Sequence, residues 1–336
     1  MKNYYISPFL LIVNTYLIIF YKKNYYNKIM KIALIIVGSV LLFLLIIFFL
    51  ALYFVYRFSF TNPKNRRLDD LADLDGPIFG PYKERLLPLI KVFQNRPYED
   101  LYIESFDKLK LHARFFEVKG SKKVALMFHG YRGTVYRDFC AASQIFMDLG
   151  YSIITVDHRA HGLSQGNSIT FGVRESKDLV SWVDYAKKRF GEDFEYILVG
   201  ISMGGATVLM AADKVENVKL LVDCPYSTPK LILQETLKAL KLSPKFFWPL
   251  VNLSSIIYGH TNLNKASAFD SIKNTNNKIL MVHGDSDQVV PQYISQQLYD
   301  AYPDKIQYEI FKGANHGCSY MTDSERYVQV IKDFLK

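Results

Sequence analysis

A serine between two glycines is the residue of this sequence best placed for nucleophilic chemistry. The apolar segment Tyr196–Val199 leads into a G-x-S-x-G motif, and the apolar stretch Ala206–Ala212 follows it. The motif consists of Gly200, Ser202 and Gly204. Between a strand and a helix, this spacing is typical of a sharp turn that strains the serine backbone and exposes its hydroxyl at the sheet edge. The helix N-terminus then faces any anion formed there. We therefore predict that Ser202 is a nucleophile.

A serine hydroxyl needs a base, and the base needs an acid that orients it. Among the seven histidines, His316 lies in a loop directly after the last predicted strand. Asp287 lies in the free part of the loop after the preceding strand, and we prefer it to Asp285. His112, in contrast, lies in an early hairpin, where we expect it to be exposed. The chain order serine, aspartate, histidine predicts a triad of Ser202, Asp287 and His316.

The elements that would position these residues alternate between short apolar segments and helical patterns. The strand-like segments are Tyr98–Phe106, Leu109–Val118, Val124–Phe128, Ser152–Val156, Tyr196–Val199, Leu220–Val222, Ile279–Val282 and Ile306–Phe311. The first two flank a turn and predict an antiparallel hairpin. The alternation of the others with helices predicts an α/β fold, with a mainly parallel sheet and helices on both of its faces.

Residues 225–272 interrupt this alternation with helical patterns, four prolines and no strand pattern. Because the segment is inserted between two strands, we predict a helical cap and an apolar pocket beneath it. The cap carries apolar residues interleaved with lysines: Leu231, Ile232, Leu233, Leu237, Leu240, Phe246, Phe247 and Trp248 with Lys230, Lys238, Lys241 and Lys245. This composition fits either a helix that packs on the sheet or a helix that lies in a lipid interface.

Four motifs together resemble those of the α/β-hydrolase family, over roughly residues 98–336. They are His129-Gly130 after the third strand, the run Asp157–Ser164 after the fourth, the turn at Ser202, and the loops of Asp287 and His316. The combination is most similar to bacterial membrane-anchored serine hydrolases of the serine aminopeptidase or monoacylglycerol lipase-like type. Ala160 stands where the family usually has a glycine, so the backbone of that turn departs from the pattern.

The resemblance implies roles for particular residues. Ser202, Asp287 and His316 would form the triad, and the backbone N–H groups of Met203 and Tyr131 would form an oxyanion hole. His129, Gly130, Gly200 and Gly204 would support these motifs. The implied chemistry needs no metal and no organic cofactor, and the glycine-rich phosphate-binding motifs are absent from the sequence.

Composition excludes several other classes of protein. Three scattered cysteines cannot form a disulfide framework or a paired-cysteine zinc site. The net charge is +9, but residues 1–68 hold nine basic and no acidic residues, which leaves 32 of each sign in the remainder. Basic residues beside apolar runs fit lipid headgroups, and the balanced remainder gives no sign of a nucleic-acid-binding face.

The basic N-terminal segment contains 25 consecutive uncharged residues, Ile32–Tyr56, which predict a membrane span and a retained anchor within residues 1–60. A second uncharged run, Tyr4–Tyr21, can add a span that forms a hairpin through Lys22–Lys31; alternatively, translation starts at Met30. The alternatives place the rest of the chain on opposite sides. We expect a single-pass protein of the cell membrane, with the side of its catalytic domain open.

The expected organisation is an anchor over residues 1–60, a linker with a leading helix over 61–97, and a hydrolase domain over 98–336. The expected activity is hydrolysis of carboxylic esters, including lipid-derived acyl esters, through an acyl-enzyme. One alternative is a serine aminopeptidase-type peptidase, which would need an acidic pocket for the substrate amine. The other is a non-catalytic, membrane-tethered binding module. The expected partners are a small ester or amide substrate and the lipid bilayer, and no nucleic acid.

Overall fold

The computed structural model describes residues 8–63, residue 71 and residues 74–336. Its contacts divide the chain into two compact units, Met1–Phe54 and Val55–Lys336. The division predicted at residue 60 therefore differs from this boundary by six residues. Val55–Phe60, the end of the apolar segment, belongs with the unit that carries the predicted site.

The described residues of the first unit are helical. This helix, α1, covers Pro8–Phe60 and is 53 residues long, or about 80 Å at 1.5 Å per residue. Lys22–Lys31, the predicted loop of the alternative hairpin, is helical, so the described residues contain one continuous helix there. The first residues of the run Tyr4–Tyr21 lie outside the described residues. By length and composition, α1 is sufficient to cross a membrane.

The second unit is built around an eight-stranded sheet of order β1-β2-β4-β3-β5-β6-β7-β8. The strands are β1 Glu99–Glu104, β2 Lys110–Phe116, β3 Lys123–Phe128, β4 Ser152–Asp157, β5 Glu195–Ile201, β6 Val218–Asp223, β7 Ile279–Gly284 and β8 Ile306–Phe311. β2 pairs antiparallel with β1 and β4, and every other pairing is parallel. All eight predicted strands form, with an antiparallel hairpin at one edge.

Helices cover both faces of this sheet. The further helices are α2 Lys83–Gln94, α3 Val135–Asp148, α4 Glu175–Phe190, α5 Met203–Met210, α6 Pro229–Ala239, α7 Pro244–Gly259, α8 Ala268–Asn274, α9 Tyr293–Ala301, α10 Ser319–Thr322 and α11 Ser324–Leu335. All residues of β4 and β7 are buried, as expected for strands covered on both sides. Two apolar clusters, one built around Trp182 and the other around Phe146, fill the layers on either side.

The predicted cap contains α6 and α7, and α8 follows within the same insertion. Thr228 caps α6, because its hydroxyl accepts a hydrogen bond from the backbone N–H of Leu231 at 3.1 Å. The apolar side chains of the cap divide into two groups. An inward group packs on α5 and its surroundings: Ile232, Leu233, Leu237, Trp248 and Val251. An outward group is exposed: Leu240, Leu242, Phe246, Phe247 and Ile256.

Candidate active site

Ser202 lies at the sharp turn between β5 and α5. Its backbone has φ 53° and ψ −115°, a strained combination for a residue with a side chain. Its N–H donates to the carbonyl of Asp223 at 2.9 Å, which ties the turn to the neighbouring strand β6. The turn exposes the hydroxyl beyond the carboxyl end of the sheet, and α5 begins at the next residue, Met203.

The glycines on either side of Ser202 are required by close backbone contacts. A methyl group on Gly204 would overlap the carbonyl of Phe128 in the neighbouring strand β3. A methyl group on Gly200 would overlap the carbonyl of Gly204 across the turn. The tight approach of these chain segments explains why the motif places glycine two residues before and after the serine.

Two loops bring His316 and Asp287 to this serine. The Nε2 atom of His316 lies 2.9 Å from the Oγ of Ser202, and its Nδ1 atom lies 2.7 Å from Oδ2 of Asp287. The loop after β8 carries the histidine, and the loop after β7 carries the aspartate. The three residues therefore form a continuous hydrogen-bonded chain from carboxylate to hydroxyl, with the geometry that lets an imidazole remove the serine proton.

Backbone and side-chain donors hold the carboxylate of Asp287. Its Oδ1 accepts from the N–H groups of Val289 and Val290, both at 2.8 Å. Burial opposes ionisation, but His316 and His283 outweigh it, and the pKa of Asp287 lies well below the usual range. Asp285, in contrast, accepts from the N–H of Gly313 at 2.7 Å. The structure thus brings Asp287, and not Asp285, to the imidazole.

His283 is a part of this site that the sequence analysis missed. Its Nε2 lies 2.9 Å from the carbonyl of Val290 and 3.2 Å from Oδ2 of Asp287. Because both neighbours are acceptors, Nε2 carries the proton, and its N–H is shared between the carbonyl of Val290 and the carboxylate of Asp287. Ser295 holds the opposite nitrogen, Nδ1, at 2.6 Å. The sequence did contain a signal for this role: His283 lies at the end of a predicted strand, four residues before Asp287.

The turn Gly130–Gly133 lies beside Ser202 and contains the predicted oxyanion residue Tyr131. A methyl group on Gly130 would lie 3.5 Å from Cβ of Ser202. The N–H of Gly130 donates to Oδ2 of Asp138 at 2.8 Å, and the N–H of Gly133 donates to the carbonyl of Gly130 at 3.0 Å. His129 supports the turn from inside: its Nδ1–H donates to the carbonyl of Gly130 at 2.8 Å. Burial lowers the pKa of His129, which keeps this imidazole neutral.

A cleft of about 300 Å³ opens at Ser202. Its apolar lining residues are Pro77, Ile78, Phe79, Ile201 and Val289. Tyr131, Ser202 and His316 reach it from the catalytic side, and its lining also includes Arg137 and Asp138. No residue of the predicted cap, 225–272, lines this cleft, so the cleft at Ser202 is not the pocket predicted beneath the cap. The cap is anchored on α5, whereas the chain segment before α2 forms the wall of the cleft.

Asp138 is the carboxylate that lines this cleft, and it is already paired. Its Oδ1 accepts from Nε of Arg137 at 2.8 Å, and its Oδ2 accepts the N–H of Gly130. Both side chains of the pair are about 95% buried. The carboxylate thus has a structural role in the turn Gly130–Gly133, and its charge is compensated within the protein.

His112 differs from its expectation. It is buried, and its Nδ1 and Nε2 lie 2.7 Å from Asp157 and from Asp100, respectively. The prediction of exposure was wrong because β2 is not an edge strand: it lies between β1 and β4. Asp157 begins the turn of the motif Asp157–Ser164, and Ala160 adopts φ 61° there. Alanine thus takes the left-handed conformation for which the motif usually uses glycine.

The cysteines near the site are buried thiols. Burial raises the pKa of Cys318 to about 12, so this residue is not a second nucleophile at neutral pH. Cys224, Asp287 and His316 have ligand atoms within 4.8 Å of one another. A metal ion bound there would have to replace the 2.7 Å hydrogen bond between Asp287 and His316 and ionise a thiol whose pKa burial raises. This arrangement fits proton transfer better than metal binding.

Comparisons with known proteins agree with this architecture. The family model described as serine aminopeptidase, S33, matches residues 119–241, which include the turn at Ser202. The uncharacterized protein YqkD of Bacillus subtilis is 26% identical over 199 residues, which cover 57% of this chain and 64% of that protein. The lysophosphatidylserine lipase ABHD12 of Xenopus tropicalis is 25% identical over 237 residues, covering 64% of this chain and 58% of the lipase. The matches thus span less than two thirds of these relatives.

Solved structures share the fold. The Pyrococcus furiosus esterase Pf2001 superimposes with a TM-score of 0.59 at 21% identity, covering 73% of this chain and 92% of the esterase. Est1E of Butyrivibrio proteoclasticus, solved with ferulic acid, gives a TM-score of 0.57 at 23% identity, with coverages of 70% and 97%. The strand order, the sharp turn at the serine and these likenesses lead to one conclusion. The chain has an α/β-hydrolase fold, and residues 119–241 match the serine aminopeptidase family model.

Proposed function

We propose that this chain is a membrane-anchored serine hydrolase that cleaves carboxylic esters through an acyl-enzyme. The observation that carries the proposal is the hydrogen-bonded chain from Asp287 through His316 to Ser202, with distances of 2.7 and 2.9 Å. Its position at the strained turn before α5 supports a nucleophile and argues against a binding module without catalysis.

In this mechanism, Nε2 of His316 accepts the serine proton as Oγ attacks the carbonyl carbon of the ester. Asp287 keeps the proton of the imidazole on Nδ1 and stabilises the imidazolium. The imidazolium then protonates the leaving alcohol. In the second half, His316 removes a proton from water, which attacks the acyl-enzyme and releases the acid. A depressed pKa keeps Asp287 ionised throughout the neutral range.

The oxyanion of each tetrahedral intermediate would lie between the backbone N–H groups of Met203 and Tyr131. Met203 is the first residue of α5, where the helix dipole adds positive potential. Tyr131 lines the cleft together with Ser202. Each donor of this kind is worth about 10²–10³ in rate when it is positioned in advance.

The cleft supports an acyl ester with a hydrophobic chain. Its walls include Ile78, Phe79 and Val289, and about 300 Å³ is the lower end of the range for ligand pockets. Two relatives carry names from ester and thioester chemistry: lysophosphatidylserine lipase, and thiohydrolase aneE of Aspergillus aculeatus, which is 26% identical over 136 residues. We infer that monoacyl esters derived from lipids are the preferred class.

Aminopeptidase activity is the second candidate, because the matching family model carries that description. A protonated substrate amine would need a carboxylate in the cleft. Asp138 is the carboxylate among the lining residues, but Arg137 and the N–H of Gly130 already neutralise it. Binding an ammonium group there would require breaking a buried ion pair, which is costly. This pairing favours the ester.

The apolar helix α1 supports anchoring in a membrane, on the basis of its length and composition. The outward residues of the cap supply a second contact of the same kind. Phe246 is 73% exposed, and Lys241 and Lys245 lie close to it in sequence. Aromatic side chains flanked by lysines suit a helix that rests at a lipid interface. We propose that the cap contacts the headgroup region.

The test compares kcat/KM of the full chain, in detergent micelles, on acetyl, butyryl and octanoyl esters and on an aminoacyl amide. The proposal predicts an increase from acetyl to octanoyl and little activity on the amide. Ser202→Ala should abolish every rate above background. A clear preference for the aminoacyl amide would make the chain a peptidase, and full activity of Ser202→Ala would remove the triad assignment.

A further inference from the structure

The carbonyl groups at the end of α1 all find partners in the catalytic unit. A helix leaves its last carbonyls without partners inside the helix, so they need donors from elsewhere. Here the guanidinium of Arg132 donates to the carbonyls of Phe58 at 2.6 Å and Thr61 at 2.8 Å. The hydroxyl of Tyr131 donates to the carbonyl of Ser59 at 3.0 Å. The N–H of Ile169 donates to the carbonyl of Phe60 at 2.7 Å.

Aromatic packing reinforces these hydrogen bonds. Phe60 is 1% exposed, and its ring meets Phe171 edge-on at 5.8 Å between centroids. Phe171 in turn stacks on the ring of Tyr131 at 5.1 Å. One turn earlier on the helix, Tyr56 is hydrogen-bonded to Ser168 at 2.6 Å between hydroxyl oxygens. Residues 55–61 are therefore packed against Tyr131 by an aromatic stack as well as by polar contacts.

Tyr131 and Arg132 also belong to the turn Gly130–Gly133, which we call the oxyanion turn because Tyr131 is the predicted oxyanion residue. Arg132 has φ 51°, in the left-handed region that side chains rarely adopt, so its surroundings must hold it there. Its backbone N–H donates to Nε2 of His161 at 3.1 Å, and its side chain is held by α1. Tyr131, one residue earlier, supplies the proposed oxyanion N–H. The turn is thus fixed from the inside by His161 and from the outside by residues 58–61.

We propose that residues 55–61 are a positioning element of the active site, and that they hold the oxyanion turn through Tyr131 and Arg132. The inference rests on the proposed function, since it assigns a structural support to its oxyanion hole. In this account, the apolar helix does more than tether the enzyme. Its final turn belongs to the unit Val55–Lys336 that carries the active site. Arg132 joins this turn to the oxyanion turn, because its planar guanidinium can donate to two carbonyl oxygens at once.

The test uses full-length variants in detergent micelles. Arg132→Met removes the guanidinium, Arg132→Lys keeps a charge without the fork, and Tyr131→Phe removes one oxygen atom. We expect kcat on a butyryl ester to fall about 10- to 100-fold in Arg132→Met, since complete loss of an oxyanion donor costs 10²–10³. Arg132→Lys should recover part of this loss, and Tyr131→Phe should lose a few-fold. KM should change little in all three.

Matched controls make the same substitutions at residues outside the oxyanion turn. Arg189→Met makes the same change at an exposed residue of α4 that pairs with Glu99, and Tyr102→Phe removes a hydroxyl from an exposed tyrosine of β1. Both should keep the kcat of the wild type. Active-site titration gives kcat per labelled serine, so a variant that only unfolds in part loses labelled sites without losing kcat per site.

A boronic acid inhibitor provides the decisive readout, because it adds to the serine and forms a tetrahedral anion. Its affinity should fall in parallel with kcat in Arg132→Met and in Tyr131→Phe. Unchanged kcat per site and unchanged boronate affinity in both variants would overturn the inference while leaving the serine mechanism intact. Absence of esterase activity in the wild type would instead overturn the proposed function.

Discussion

The two sides of Ser202 are built in different ways. On the histidine side, each residue comes from a loop at the carboxyl end of an adjacent strand, and His316 and Asp287 are joined by a hydrogen bond of 2.7 Å. On the oxyanion side, the turn Gly130–Gly133 depends on chain that precedes the sheet. Residues 55–61 hold it from outside, and residues 76–79 form the facing wall of the cleft.

This difference separates chemistry from selectivity. The histidine side relies on elements common to the fold, so under the proposed function it would provide proton transfer for any acyl substrate. The wall formed by residues 76–79 and the support given by residues 55–61 belong to the N-terminal part of this chain. We expect changes on the histidine side to lower the rate on every ester alike. Changes in the wall at residues 76–79 should alter which ester is preferred, whereas changes in the support given by residues 55–61 should lower kcat.

The largest effect is expected at the acid. Asp287→Asn should lower kcat about 10⁴-fold, because the amide favours the wrong tautomer of His316. Asp285→Asn is the matched control, since its carboxylate accepts from Gly313 and not from the imidazole. Steady-state rates on one butyryl ester are sufficient for the comparison. A larger loss in Asp285→Asn than in Asp287→Asn would show that the acid has been assigned to the wrong residue.

A smaller loss is expected at His283. His283→Phe removes the N–H that points to Asp287, and kcat should fall about tenfold with KM nearly unchanged. The carboxylate charge then acts more strongly on His316, so the acidic limb of the pH–rate profile should move to higher pH. His283→Gln can still donate and should recover part of the rate, and His260→Gln, at an exposed position, should resemble the wild type. A merely structural role would leave the pH profile in place.

On the opposite side, the wall of the cleft should determine the preferred chain length. Phe79→Ala removes apolar surface from the cleft, and each buried methylene of substrate contributes about 0.8 kcal/mol. We therefore expect the ratio of octanoyl to acetyl kcat/KM to fall about tenfold, with the acetyl rate nearly constant. Phe246→Ala, in the exposed part of the cap, should leave the ratio unchanged. The opposite pattern would place the acyl chain beneath the cap after all.

The smallest effect on activity is expected at Asp223, which is buried behind the turn at Ser202. The prediction for this residue concerns the stability of the folded protein. Burial raises the pKa of Asp223 to about 6, against the influence of His283, His316 and Ser319. Between about pH 4 and 6 the unfolded chain loses this proton while the folded protein keeps it, so the contribution of Asp223 to stability falls as pH rises. At neutral pH the cost is about 3 kcal/mol, for two pKa units.

Asp223→Asn removes this cost. The thermal midpoint of the variant should therefore exceed that of the wild type at pH 7.5, and the difference should fall to about a third at pH 4.5. Thermal unfolding followed by intrinsic fluorescence, at both pH values, makes the comparison. An equal difference at the two pH values would mean that burial does not raise the pKa of the Asp223 carboxyl.

The histidine side could be predicted from the sequence because its signals are local. The turn at Ser202 is marked by glycines that close contacts require, and the loops of Asp287 and His316 each follow a strand pattern. Eight strands were predicted because buried strands are short apolar runs bounded by polar turns. These features depend on neighbours in sequence.

The opposite side could not be predicted, because its contacts join distant parts of the chain. Arg132 meets the carbonyl of Thr61 across 71 residues, and nothing in either stretch of sequence marks the pairing. The cleft was predicted beneath the cap because insertions near strand ends often shape sites, but the cap is packed on α5. His112 was expected to be exposed because sequence alone does not show that β4 pairs with β2.

Covalent labelling of the full chain with a fluorophosphonate probe tests the central claim most directly. The probe reacts only with an activated serine, and mass spectrometry of the digested protein identifies the modified residue. We predict modification at Ser202 in the wild type, none in Ser202→Ala, and a strongly reduced rate in His316→Ala. Modification of another residue, or a folded wild-type protein that stays unlabelled, would contradict the account.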